Sequence, residues 1–200
     1  MTPRFEFRVF GERLADEREI VERRAAFARD EEPRTDIYFV VPGRVDASLK
    51  LRGGKLDLKV LRNEENGLEL WEPAAQAEFP VAPEILRARF LDPAGVRLDL
   101  PDAPVERDLL LTRARLAPLT RTVRVEKHRH SLRLDDVAVE FTRLSVDGTP
   151  AETVAIEEVD RKRALAAVEA LRLSDRRNRS YQRFLVDRLF TPPGPGDAGM

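Results

Sequence analysis

Apolar and polar residues alternate along RFEFRVF near the N-terminus. Phe5, Phe7 and Val9 fall on one side, and Arg4, Glu6 and Arg8 on the other. A period of two is the pattern of a strand with one buried face. From residue 12 to 29 the spacing lengthens. Leu14, Ile20, Val21, Ala25 and Phe27 stand among many charges, which predicts a solvent-facing amphipathic helix closed by Pro33. DIYFVVP, residues 36–42, reads as a strand ended by Pro42 and Gly43. Asn66-Gly67 marks a turn, and Leu68, Leu70 and Trp71 begin another extended segment. ILRARFL, residues 85–91, puts Arg87 and Arg89 opposite Leu86, Ala88 and Phe90 and reads as a strand. So does DLLLTRARL, residues 108–116, after Pro101 and Pro104.

In TRTVRVEKHRH, residues 120–130, Val123 and Val125 share one face, with Arg124, Glu126, His128 and His130 on the other. Val137, Val139 and Phe141 continue the alternation beyond a turn expected near Ser131. Asp147-Gly148 turns the chain into ETVAIEEV, with Val154 and Ile156 toward a core and Ala155 and Glu157 opposite. The last third changes period. Asp160 is a predicted N-cap, followed by Leu165, Val168 and Leu171 on one helical stripe. Asn178 is expected to cap a second helix carrying Tyr181, Phe184, Leu185 and Leu189. About eight strands and three helices result. Helices covering a sheet take its apolar face, so the charged face looks at solvent or at the polar interior of a barrel.

The most informative stretch is SLKLRGGKLDLKVLR, residues 48–62. Gly53-Gly54 is a two-residue hairpin turn. Folded there, Arg52 faces Lys55, Lys50 faces Asp57, and Ser48 faces Lys59, while Leu51 faces Leu56 and Leu49 faces Leu58. One face is aliphatic and the other carries four cations and one acid. Directly opposed like charges cost roughly 0.2–1 kcal/mol, so the cationic face needs a partner.

Composition narrows the choices. Charged residues make up 36% of the chain, against roughly 25% in an ordinary domain, so heavily charged strand faces are unavoidable. The 200 residues suit a single domain over 1–190, with the Pro/Gly-rich segment 191–200 as a disordered tail. The net charge of -1 argues against a chain-wide attraction to nucleic acid or to an anionic membrane. Any polyanion site must come from local segregation of charge. With no cysteine there is neither a disulfide framework nor a thiolate metal site. No run approaches the ~20 apolar residues of a membrane span, and the N-terminus lacks a signal peptide's apolar core. The expectation is a cytoplasmic protein.

The order of features over roughly residues 4–189 resembles the CYTH superfamily, the triphosphate tunnel metalloenzymes. The resemblance rests on a short opening strand of alternating charges, then a helix; on Asp36-Ile37-Tyr38-Phe39-Val40-Val41-Pro42; on Lys50-Leu51-Arg52 with Lys59 in the partner strand; on Glu157 in VAIEEV; and on a C-terminal helix near Ser180-Tyr181. It implies an α+β fold, an eight-stranded antiparallel CYTH-like tunnel barrel with flanking helices. Members of the family bind a triphosphate inside the tunnel. Basic side chains hold the phosphates and carboxylates hold a divalent metal, Mg²⁺ or Mn²⁺. They hydrolyse inorganic triphosphate, thiamine triphosphate or nucleotides, or cyclise ATP.

Two family motifs depart here. Arg4-Phe5-Glu6-Phe7-Arg8 stands where the family reads Glu-x-Glu-x-Lys, and Ala155-Ile156-Glu157 where it reads Glu-x-Glu. Two expected carboxylates are therefore missing. The resemblance implies phosphate binding by Lys50, Arg52, Lys59 and Arg124, aided by Arg8, Arg87 and Arg89, which share the polar parity of their strands. It implies a metal held by Glu6, Glu157 and Glu126, with Glu126 preferred over Glu140. The ligand would be a triphosphate, polyphosphate or nucleotide. The alternatives are a catalytically inactive phosphate- or nucleotide-binding module, and a scaffold whose interior charges neutralise one another. His128 and His130 have a spacing that can hold Zn²⁺, but the charges around them read as an exposed hairpin tip.

Overall fold

The computed structural model describes residues 2–190. The 191–200 segment, expected to be disordered, lies outside the described residues. In chain order the elements are β1 (Arg4–Gly11), α1 (Ala15–Arg24), β2 (Ala26–Asp30), β3 (Arg34–Val40), β4 (Ala47–Arg52), β5 (Lys55–Glu65) and β6 (Leu68–Glu78). Then come α2 (Pro83–Leu86), a π-helical turn (Arg87–Leu91), α3 (Asp92–Ala94), α4 (Arg107–Leu116), β7 (Arg121–Leu134), β8 (Val137–Val146), β9 (Thr149–Glu158), α5 (Arg161–Ala170) and α6 (Tyr181–Phe190).

The strands pair antiparallel in the order β7-β3-β4-β5-β6-β1-β9-β8, and β8 pairs back onto β7. The sheet therefore closes into an eight-stranded barrel, with helices outside it. Closure removes the free edges that an open sheet would leave. β2 lies beside the far half of β7, where Ala26 pairs with Arg133 and Asp30 with His130. β3 continues along the same edge, with Arg34 opposite Lys127. The Glu31 amide bridges the gap by donating to the Arg129 carbonyl at 2.9 Å. Pro33, which has no N–H to give, falls between the two strands.

The β4–β5 hairpin has the register that Gly53-Gly54 predicts, from Arg52 opposite Lys55 to Ser48 opposite Lys59. Both glycines take positive φ, 55° and 80°, which a side chain would resist. The like-charge pair is resolved by outside partners: Arg52 turns to Asp36, and Lys55 turns to Glu78 at 2.6 Å.

Five expectations are corrected. Residues 85–91 and 108–116 are helical rather than extended. Pro83 opens the first helical stretch and Gly95, at φ 70°, closes it. These are a helix's ordinary boundary signals. In α4, Leu110, Leu111 and Ala114 lie at helical spacing and are buried. The helix expected over 12–29 stops at Arg24, and residues 26–30 form β2. The turn expected near Ser131 lies instead at Asp135-Asp136, so β7 runs straight past both histidines. The predicted N-cap of α5 is present, with the Asp160 carboxylate accepting from the Arg163 amide at 3.0 Å. Asn178 does not cap α6. It clamps β1, accepting from the Arg8 amide at 2.8 Å and donating to the Glu6 carbonyl at 3.0 Å.

Apolar side chains gather in three places. The aliphatic hairpin face (Leu49, Leu51, Leu56, Leu58) packs outside the barrel against Leu86, Phe90, Leu91 and Leu110. The outward residues of β1, β8 and β9 pack against α1 and α5. The third cluster lies within the barrel. Phe10, Tyr38, Val40, Val123, Val125, Leu144 and Val146 fill one half of the lumen and meet Phe184, Leu185 and Val186 of α6. The Phe10 ring stacks on Phe184 at 4.0 Å between centroids. Thus α6 stops one end of the tunnel.

The plug should carry much of the fold's stability. Leu185 is fully buried while Leu189 is 37% exposed. Leu185→Ala is expected to cost about 2–5 kcal/mol, and Leu189→Ala less than about 0.5 kcal/mol, as read from urea unfolding midpoints.

Candidate functional site

The other half of the lumen is charged. Strand pleating assigns its lining. Glu6 and Arg8 point inward from β1 beside Glu157 and Ala155 of β9. Lys50 and Arg52 of β4 lie between Tyr38 and Asp36 of β3 on one side and Asp57 and Lys55 of β5 on the other. β7 contributes Lys127 and Arg129, and β8 contributes Glu140. A cavity of about 110 Å³ opens among Glu6, Arg8, Lys50, Arg52, Lys59, Arg129 and Glu157, with Tyr38, Trp71 and Tyr181 also on its wall. Five cations and two carboxylates line it.

The surrounding ion pairs hold these groups in place. The Arg8 guanidinium donates to Glu140 at 2.5 Å, lies 3.6 Å from Glu157, and stands 4.7 Å from the Tyr181 ring centre. Arg129 Nε lies 3.0 Å from the other Glu140 oxygen. Arg52 donates to both Asp36 oxygens at 3.1 and 3.0 Å. Lys127 donates to Asp36 at 2.8 Å and to the Tyr38 hydroxyl at 2.7 Å. Lys59 donates to Glu6 at 2.7 Å, and Lys50 lies 3.4 Å from Asp57.

The groups at the cavity feel opposing influences, with carboxylates stabilising Arg8 and Lys59 while Lys50 is depressed. Burial pushes the Lys50 ammonium down, Arg52 and Lys59 push the same way, and Asp57 offsets only part of this, leaving its pKa at about 8. At Glu157 the Glu6 charge, and then burial, raise the carboxyl above its ordinary value. At Glu140 burial works upward, but Arg8 and Arg129 outweigh it and hold the carboxyl at about 2. Burial would also raise Asp36, yet Lys127 and Arg52 hold it well below the usual carboxylate range.

Six of the ten residues expected at the site meet in this cavity: Lys50, Arg52, Lys59, Arg8, Glu6 and Glu157. The other four do not. Arg87 and Arg89 are exposed on the π-helical turn outside the barrel. Arg124 and Glu126 project outward from β7 and pair with each other at 2.9 Å. The physical reason is parity. Val123 and Val125 point into the plugged half of the lumen, so Lys127 and Arg129, two and four residues beyond Val125, point into the charged half. Those two and Asp36 are lumen charges that the polar pattern alone missed, and Glu140, ranked behind Glu126 from the sequence, is the one of that pair that faces the lumen.

Glu6 and Glu157 stand directly across from each other on neighbouring strands, and their mutual repulsion suits a divalent cation with hard-oxygen ligands. They fit a reduced site in which phosphate and water oxygens complete the coordination. Glu126 cannot join them.

None of the protein-family models and none of the curated proteins matches this chain. Solved structures do match. A protein from Pyrococcus horikoshii OT3 superposes with a TM-score of 0.52 at 18% identity, over 93% of this chain and 99% of its own. A putative adenylyl cyclase from Hippeastrum, described as having a dominant triphosphatase activity, gives 0.52 at 12% identity, over 94% and 95% of the two chains. A putative adenylate cyclase from Bacillus halodurans gives 0.50 at 11% identity, over 96% and 100%. At such identities the likeness is one of fold. What is shared is the closed eight-stranded antiparallel barrel with helices packed outside it.

Asp36 is the test of the charged lumen. Asp36→Asn strips the partner from buried Lys127 and is expected to cost about 3–5 kcal/mol. Arg124→Ala should change stability by less than about 0.5 kcal/mol. Because the Asp36 pKa is depressed, its contribution is present above the ordinary value of 3.8 and is lost as pH falls below it. Urea unfolding of wild type against Asp36→Asn should therefore show the gap narrowing toward low pH.

Proposed function

We propose that the charged half of the tunnel binds the phosphate chain of a triphosphate-type anion and hydrolyses it with a divalent metal. The observation that supports this best is the set of five cations against two carboxylates on the cavity wall, with Lys50 depressed to about 8 by burial first and then by Arg52 and Lys59. An entering polyanion relieves that repulsion. Arg8, Arg52 and Arg129 offer planar forks matched to phosphate oxygens, and Lys50 and Lys59 add point charges. Fixed on strands and already oriented by ion pairs, these groups stabilise phosphoryl charge with little reorganisation. Because α6 stops one end of the tunnel, the phosphate chain enters and leaves by the other. Glu6 and Glu157 would hold Mg²⁺ or Mn²⁺, whose chemistry is charge neutralisation at phosphoryl oxygens and activation of water.

A second reading is a binding barrel without turnover. It is favoured by Lys59 and Arg8, which already engage Glu6 and Glu157 and compete with a metal. Among the described residues no helix is long and apolar enough to cross a membrane. The ligand in both readings is a small anion.

The deciding assay measures phosphate release from inorganic triphosphate, ATP and thiamine triphosphate with Mg²⁺, with Mn²⁺ and with EDTA. Metal-dependent release that disappears in Glu157→Gln is the expected result. Stabilisation by triphosphate without release selects the second reading, and neither signal removes the phosphate function. A pH signature should accompany binding. At pH 8 about half of Lys50 is neutral, and a bound anion raises its pKa. Binding should then take up roughly half a proton at that pH, with affinity falling as pH rises through 8. Calorimetry in buffers of different ionisation enthalpy reads this uptake, and Lys50→Met should abolish it.

A further inference from the structure

The chain has two histidines in its 200 residues, and both stand at one place outside the tunnel. His128 and His130 project from the outer face of β7, two residues apart. Asp30 on β2 lies directly across from His130. One Asp30 oxygen sits 2.9 Å from His130 Nδ1 and 3.1 Å from His128 Nε2. One donor atom from each of the three residues lies within 4.8 Å of the others. The His130 ring is seated against the buried Phe141 ring, 6.1 Å between centroids and 26° from parallel. Arg143, the cross-strand neighbour of His128, has Glu152 as a partner at 3.9 Å, so its charge is partly offset.

We propose that Asp30, His128 and His130 form a Zn²⁺ site on the outer wall of the barrel. Two imidazole nitrogens and one carboxylate oxygen are a common three-ligand set for zinc, and solvent supplies the fourth position. Ligands about 2.0–2.1 Å from a tetrahedral zinc lie roughly 3.3 Å from one another, so the two Asp30–histidine distances need to open by only a few tenths of an ångström. Imidazoles select zinc and its transition-metal neighbours over Mg²⁺, which prefers oxygen ligands. The site is therefore chemically distinct from the Glu6–Glu157 pair. Its mechanical consequence is specific. All five residues of β2 are exposed and the strand pairs only with β7. A metal shared by Asp30 and the two histidines ties β2 to the barrel by something stronger than its ladder.

The test is calorimetric titration of the full chain with Zn²⁺. One equivalent should bind. Asp30→Asn should weaken binding by at least the roughly tenfold that loss of even an outer-shell partner costs. The His128→Ala/His130→Ala double variant should lose the site, while Glu6→Gln/Glu157→Gln should retain it. In the wild-type protein, Zn²⁺ should shift both histidine ring signals in NMR spectra and slow hydrogen exchange along β2. Mg²⁺ should do neither. Wild-type affinity in the double histidine variant would overturn the proposal, as would the absence of Zn²⁺ uptake by the wild-type chain at micromolar metal.

Discussion

Asp36 is fully buried and receives three charge-assisted hydrogen bonds, two from Arg52 and one from Lys127. Its position shows the constraint under which the barrel is built. A closed sheet that turns charged side chains inward must answer each of them from across the lumen, because a lone ion there costs several kcal/mol. Asp36 answers β4 and β7 from β3. Glu140 answers Arg8 and Arg129 from β8, and Glu6 answers Lys59 from β1. The ion pairs thereby cross-link strands that are far apart in sequence. The compensation is uneven. Toward the cavity the cations on the wall outnumber the carboxylates, and Lys50 there is depressed by burial first and then by Arg52 and Lys59.

The lumen is divided along its axis. At one end aromatic and branched residues meet α6, giving a dry stop. At the other, charges surround a small polar cavity. The division places charged groups beside a low-dielectric plug, where electrostatic interactions are stronger than in open water. It also makes the tunnel blind. Tyr38 and Tyr181 stand at the boundary, with their rings 5.7 Å apart and Lys127 3.7 Å from the centre of the Tyr181 ring.

Much of this was legible in the sequence, and the failures have physical causes. The Gly53-Gly54 turn fixed a register in which a slip of one residue would invert every side chain, so the hairpin's two faces could be read directly. Residues 85–91 misled because ILRARFL alternates over too few positions to separate a period of two from a helical one. The flanking Pro83 and Gly95 were the better signals. Arg124 and Glu126 misled for a deeper reason. Equating polar parity with the lumen fails wherever the lumen is apolar, and Val123 and Val125 line the plugged half. Following their parity along β7 leads to Lys127 and Arg129. The local pattern puts the histidines at a hairpin tip because β7, at fourteen residues, exceeds any turn-to-turn distance that pattern suggests.

The proposed role of the tunnel is to hold phosphates with its inward cations. Its most direct test is a crystal structure of the protein grown with inorganic triphosphate. A phosphate chain is expected in the charged half of the lumen, with oxygens on Lys50, Arg52 and Lys59 and none beyond the Tyr38–Tyr181 boundary. A tunnel without the anion, or triphosphate bound only at outward residues such as Arg87, Arg89 or Arg124, would contradict it.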